Sequence, residues 1–103
     1  MSQPVLINGT CRPASSSQTF QAANPTTREV IPEEYPVSDW SDCDAALDAA
    51  VAAAREMRKL SGAQIAAFLE AFADRIEARK DELVEMAHQE TALPKSPRLA
   101  DAE

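Results

Sequence analysis

Residues 20–40 read FQAANPTTREVIPEEYPVSDW, and residues 41–54 continue as SDCDAALDAAVAAA. The two stretches follow different periods. In the first, the extended runs 20–23 and 29–31 flank Asn24-Pro25-Thr26-Thr27, where Asn at the first turn position and Pro at the second are ordinary turn chemistry. Residues 32–37 carry two prolines and two glutamates; Pro cannot donate to a ladder, so the run predicts an edge or an extended crossing, not a central strand. From Ser41 the apolar period lengthens to about 3.6, and Cys43, Ala46, Leu47, Ala50, Val51, Ala54 and Met57 fall on one face. This predicts a first helix over 42–59, with Ser41 as N-cap and Asp44 completing an acidic capping box.

Upstream, Val5-Leu6-Ile7 runs into Asn8-Gly9, two residues that tolerate the positive φ of a type I′ turn, so residues 5–12 read as a hairpin. Residues 13–18 are a Ser-rich polar connection. Downstream, Ser61 with Gln64 three residues on is a second capping box. Ile65, Phe68, Leu69, Phe72, Ala73 and Ile76 form the stripe of a helix over 62–78. A third helix starts near Lys80 or Asp81, turns Leu83, Val84, Met86 and Ala87 inward, and stops before Pro94, which lacks an N–H and clashes with the preceding turn. The last eight residues, SPRLADAE, open a fourth: Ser96 is an N-cap, Pro97 suits the first helical position, and Leu99 and Ala102 are its apolar anchors. After about two turns the sequence stops, inside an element that is marginal in water by itself. The segment is thus α-rich α+β: two short N-terminal β-hairpins, three helices and the start of a fourth.

Composition narrows the function classes. A chain of 103 residues is about one domain, and its core must be modest. Much of the 45% apolar content is alanine, and the aromatics are Phe20, Tyr35, Trp40, Phe68 and Phe72. The net charge of -7, spread along the helices, disfavours nucleic acid and anionic membranes as partners. Glu33-Glu34 and Asp81-Glu82 read as solvated faces. With no apolar leader, and with the longest apolar helical tract broken by Asp48, the expectation is a soluble cytoplasmic protein.

The candidate chemistry is sparse. His88, the one histidine, has no evident convergent partners and reads as a surface residue near a helix C-terminus. Cys43, flanked by Asp42 and Asp44, is placed on the apolar face and expected buried; Cys11, beside Arg12, is expected half-buried. Their spacing supports neither a metal site nor a disulfide framework. The two glycines, Gly9 and Gly62, are too far apart for a phosphate cradle. Glu82 and Glu85 have the spacing of any acidic helix surface. No residue is assigned to catalysis, cofactor binding or metal binding.

The order of these features resembles the NAD(P)-dependent aldehyde dehydrogenases. Leu6-Ile7-Asn8-Gly9 looks like the family's opening hairpin, and Asn24-Pro25-Thr26-Thr27-Arg28-Glu29-Val30-Ile31 is similar to its NPxTGEVI turn. Residues 41–54 resemble the first helix, 65–77 the second, Asp81-Glu82-Leu83 the start of the third, and Glu90-Thr91 the pair that closes it. Within the family, Glu90-Thr91-Ala92-Leu93-Pro94 with Arg98-Leu99 looks most like the α-ketoglutaric semialdehyde (2,5-dioxovalerate) dehydrogenases. Two departures stand out. Arg28 occupies a position where the family usually has Gly, so a different turn type is expected there. The usual Glu-Thr-Gly-Lys-Pro is here Glu-Thr-Ala-Leu-Pro, so no role carries over for that lysine.

The resemblance implies an α/β parent with the aldehyde dehydrogenase fold, of which residues 1–103 are the N-terminal part of the dinucleotide-binding domain, 1–40 as hairpins and edge and 41–103 as helices. The Rossmann sheet and the catalytic domain are absent. The parent would oxidise an aldehyde to a carboxylate with NAD or NADP and form a homo-oligomer, while this segment would bind no cofactor and take the remainder of the parent chain as its partner. Its apolar faces, Ala46, Ala50 and Ala54 among them, would then be exposed. The rival expectation is a free-standing acidic helical interaction module, which caps its last helix.

Overall fold

The structure, a computed structural model, describes residues 2–101. Residues 2–21 with 32–60 form one compact unit, and residues 22–31 with 61–101 form a second. Two two-stranded antiparallel sheets precede three helices, as expected.

In the first unit β1 (Val5–Ile7) pairs with β2 (Thr10–Arg12), Leu6 opposite Cys11. The turn between them puts Asn8 at φ 51 and Gly9 at φ 76, the doubly left-handed conformation that Asn-Gly was expected to supply. Alternation along β1 leaves Val5 and Ile7 half-buried and Leu6 outside. Against β1 packs α1 (Trp40–Met57), whose half-buried positions there are Ala45 and Ala49. Side chains this small leave room for the hairpin. Leu47, Val51 and Met57, on the apolar face read from the sequence, are exposed.

Helix α1 also starts earlier than expected. Asp39, not Ser41, is the N-cap: its carboxylate accepts from Ser41 N at 3.0 Å and from Ser41 Oγ at 2.5 Å. A carboxylate is the stronger acceptor and also favours the positive end of the helix dipole, so it prevails over the hydroxyl two residues later. Asp44 takes no part in the cap. At the other end Lys59 N and Leu60 N bond to Glu56 O and Met57 O, each three residues back, so the chain leaves the α-helix at Met57 and not at Lys59.

The second hairpin is longer than its sequence reading. Its regular pairing is β3 (Thr19–Phe20) with β4 (Tyr35–Pro36), and the Phe20 and Tyr35 rings lie 5.6 Å apart. β4 is the proline-containing edge that residues 32–37 predicted.

In the second unit the expected arms 20–23 and 29–31 reduce to one bridge, Ala23 with Val30. Ile31 N donates to Ala22 O at 2.8 Å and Arg28 N to Asn24 O at 2.7 Å. Asn24 Oδ1 accepts from Thr26 N at 2.9 Å, the local side-chain turn for which Asn is favoured. Arg28 sits at φ 64. A non-glycine residue thus takes the left-handed conformation in this turn.

Helix α2 (Gly62–Ala78) has its expected bounds, and its capping box is reciprocal: Ser61 Oγ accepts from Gln64 N at 3.2 Å while Gln64 Oε1 accepts from Ser61 N at 2.9 Å. Helix α3 (Lys80–Thr91) ends on Ala92 at φ 59, with Pro94 beyond it. Val84, Met86 and Ala87 are half-buried, whereas Leu83 is exposed, contrary to expectation. The fourth helix is not an ordinary α-helix. Leu99 N and Ala100 N bond five residues back to Pro94 O and Lys95 O, making a wide π-type turn over Lys95–Leu99. Ser96 is extended at φ -125 and ψ 135, makes no cap bond, and precedes a cis peptide to Pro97. Ala102, its other expected anchor, lies outside the described residues.

Candidate functional site

Among the described residues only two are buried, Ile31 at 7% exposure and Asp42 at 3%. The second is the more telling, because a charged group is almost never buried without partners. Asp42 occupies the third helical position of α1, from which a capping-box side chain ordinarily turns back to the N-cap amide. Here it turns away. Its Oδ2 accepts from Ser15 N at 2.8 Å. Its Oδ1 lies 2.9 Å from Arg12 Nη2 without an aligned N–H···O bond, so that contact is one of charge. Ser15 also donates its hydroxyl to Asp39 Oδ1. Four residues thus tie the end of β2 and the serine-rich connection to the start of α1.

The Ser15 hydroxyl, then the Ser41 hydroxyl, holds the Asp39 carboxyl below its usual range. The Ser15 amide, then its hydroxyl and Arg12, lowers Asp42 against the opposing effect of desolvation. Both groups are ionised at neutral pH and engaged by neighbouring residues of the fold. Their work is structural.

Beside this node lies a cleft of about 500 Å³, lined by residues of the first hairpin, the connection and β4, with Cys11, Arg12, Pro13, Ser16 and Pro36 among them. Cys11 and Cys43 are both free and exposed, which corrects the half-buried and buried expectations: β2 turns Cys11 outward, and Cys43 in the first turn of α1 is not covered. His88 is half-buried rather than a free surface group. Its Nδ1 stands 2.7 Å from Leu93 O, and a carbonyl only accepts, so Nδ1 carries the proton and the ring closes the turn after α3. Glu82 and Glu85, read as solvated, are paired within their unit: Glu82 takes two bonds from Arg79, and Glu85 takes Lys95 and Gln89.

Gly9 is spent on a hairpin turn and Gly62 on the first turn of α2. The start of α1 is capped by Asp39, and that of α2 by the Ser61–Gln64 box, while Asp81 and Glu82 put negative charge in the first turn of α3. The starts of α1 and α2 are thus capped by side chains, while that of α3 has no side-chain cap and carries acidic residues that disfavour an anion. Among the described residues no group of three His, Cys, Asp or Glu side chains is placed to hold a metal ion, and no helix is long and apolar enough to cross a membrane.

What remains is apolar surface. On α2, Phe68, Leu69, Phe72 and Ile76 are 47–60% exposed, with the Phe68 and Phe72 rings stacked 6.4 Å apart. Of that stripe only Ile65 is half-buried. Ala46, Ala50 and Ala54 are likewise exposed on α1.

Comparison with known proteins supplies the context. Residues 12–102 match the aldehyde dehydrogenase family. The chain belongs to that family. It is 27% identical over 99 residues to a D-glyceraldehyde dehydrogenase (NADP(+)) of Picrophilus torridus, an alignment that covers 96% of this chain and 20% of that one. It is 37% identical over 89 residues to a 3,6-anhydro-alpha-L-galactose dehydrogenase of Streptomyces coelicolor, covering 86% of this chain and 18% of the relative. The chain therefore spans about a fifth of the length of these curated aldehyde dehydrogenases. The Asp42 node escaped the sequence reading because Arg12 and Ser15 are remote from Asp42 along the chain. The one available signal was a second acid, Asp42, three residues after a possible N-cap, Asp39.

Proposed function

We propose that this chain is the N-terminal part of the dinucleotide-binding domain of an aldehyde dehydrogenase, and that it serves there as a packing element without chemistry of its own. One observation carries the reading: in a chain that is 45% apolar, Ile31 is the single buried apolar residue among those described. A free-standing module of this length keeps its stripes for a core of its own. Here they face outward, which fits a segment packed in a larger domain. The partner is the remainder of the parent chain, and the parent is a homo-oligomer.

The complete enzyme, in this reading, oxidises an aldehyde to a carboxylate with NAD or NADP, through groups that residues 1–103 do not supply. We assign α-ketoglutaric semialdehyde as the aldehyde. The support is local: Glu90-Thr91-Ala92-Leu93-Pro94 followed by Arg98-Leu99, the run most like that group. NADP has the support of the Picrophilus torridus relative, whose name carries it.

The test starts with the intact mass of the native polypeptide, detected in its own cell extract through peptides of this segment. A species several times heavier than 11.1 kDa supports the reading, and purified parent should then form NAD(P)H with the semialdehyde faster than with glyceraldehyde. A native polypeptide of 11.1 kDa refutes it. The isolated chain should produce no NAD(P)H with any aldehyde.

A further inference from the structure

We propose that residues 13–17 form a strap that opens by itself while α1 stays folded, with the Asp42 carboxylate as its keeper, and that opening removes one wall of the cleft beside Cys11. The connection has no regular pairing of its own, since β2 ends at Arg12 and β3 begins at Thr19. Within residues 13–17, Ser15 alone reaches α1, through its amide to Asp42 Oδ2 and its hydroxyl to Asp39 Oδ1. The other bonds of this stretch are to near neighbours: Arg12 Nη1 donates to Pro13 O, and Gln18 N to Ser16 Oγ. Pro13, Ala14, Ser16 and Ser17 line the cleft directly.

A segment fastened at one residue opens as that residue lets go, at a cost below that of unfolding the helix under it. Asp42 keeps it for two reasons. It is the buried partner, so an open strap leaves its carboxylate exposed to water but deprived of the Ser15 amide, and Arg12 holds it in position at 2.9 Å. Asp39 is the lesser fastening because its carboxylate has the Ser41 amide and hydroxyl to fall back on.

The experiment is residue-resolved amide exchange by NMR on the 103-residue chain at neutral pH, in wild type, Asp42→Asn and Ser15→Ala. A hydrogen bond to a charged acceptor protects an amide by roughly ten- to a hundredfold, so the Ser15 amide should be protected to about that degree, and less than the amides of residues 45–53. Asp42→Asn should bring Ser15 close to the unprotected rate while residues 45–53 keep their protection. Ser15→Ala, which retains the amide, should lose only part of it. The proposal is overturned by any of three results: a wild-type Ser15 amide without protection, one that exchanges in step with residues 45–53, or an Asp42→Asn chain in which Ser15 and the helix lose protection together.

Discussion

Two single residues preserve a backbone shape without the glycine that suits it. Arg28 and Ala92 stand at φ 64 and φ 59, and both occupy positions where the resemblance places glycine. A Cβ in the left-handed region costs about 1–2 kcal/mol, part of which glycine returns through its freer unfolded chain. Arg28→Gly and Ala92→Gly should therefore each stabilise the chain by about 0.5–1 kcal/mol, read as a higher midpoint in urea followed by circular dichroism. A loss of stability in both would mean that the family turns are not retained. The carboxylates make a second residue-level prediction. Asp39 and Asp42 are held below the ordinary 3.8 by Ser15 first in each case, and Glu82 and Glu85 below 4.5 by Arg79 and Lys95. A depressed folded pKa contributes stability that is complete above the unfolded value and disappears as pH falls through the folded one. Thermal midpoints should be level from neutrality down to about pH 5 and fall steeply below about pH 4, with Asp42→Asn removing part of the fall. A midpoint that rises on acidification would contradict these assignments.

At the scale of elements, legibility followed locality. α2 was read to the residue because both of its signals are local: a reciprocal Ser61–Gln64 box and a sustained stripe from Ile65 to Ile76. Ser61→Ala should cost about 1 kcal/mol and lower helix content in α2, while Gln64→Ala costs less because the hydroxyl still serves an amide. Equal losses would mean that the Ser61 hydroxyl does not carry most of the cap. The Asn8-Gly9 hairpin was legible for the same reason. The start of α1 lies two residues before its expected place because Asp39 and Ser41 both offer cap oxygens and the carboxylate prevails. The pairing of Thr19–Phe20 with Tyr35–Pro36 carries no local turn signal, so the sequence does not show it. The terminal turn was missed because Ser-Pro is read as cap and first helical position, whereas Ser96 is extended and the turn closes through bonds from Leu99 and Ala100.

For the molecule as a whole, periodicity identified which faces are apolar but was silent on whether this chain covers them. Phe68, Leu69, Phe72 and Ile76 form the clearest stripe in the sequence and stay largely in water. Full burial of one such side chain is worth about 1.5–3 kcal/mol, so four of them half-exposed forfeit several kcal/mol in a fold whose whole stability is commonly about 5–15 kcal/mol. An isolated chain has one route to recover that energy, which is to cover the stripe with another copy or a dye. The 103-residue chain should therefore bind an apolar fluorophore in its native state and grow in apparent mass with concentration by sedimentation. Phe68→Ser with Phe72→Ser should reduce both effects while helix content changes little, because the replaced side chains already face solvent. The discriminating comparison adds the remaining four-fifths of an aldehyde dehydrogenase of this family as a separate polypeptide. Suppression of dye binding by that polypeptide, and not by an unrelated apolar protein at equal concentration, would identify the stripe as the seat of the parent domain. A chain that is monomeric and dye-free by itself would show that these faces need no cover, and the packing role would fall with that result.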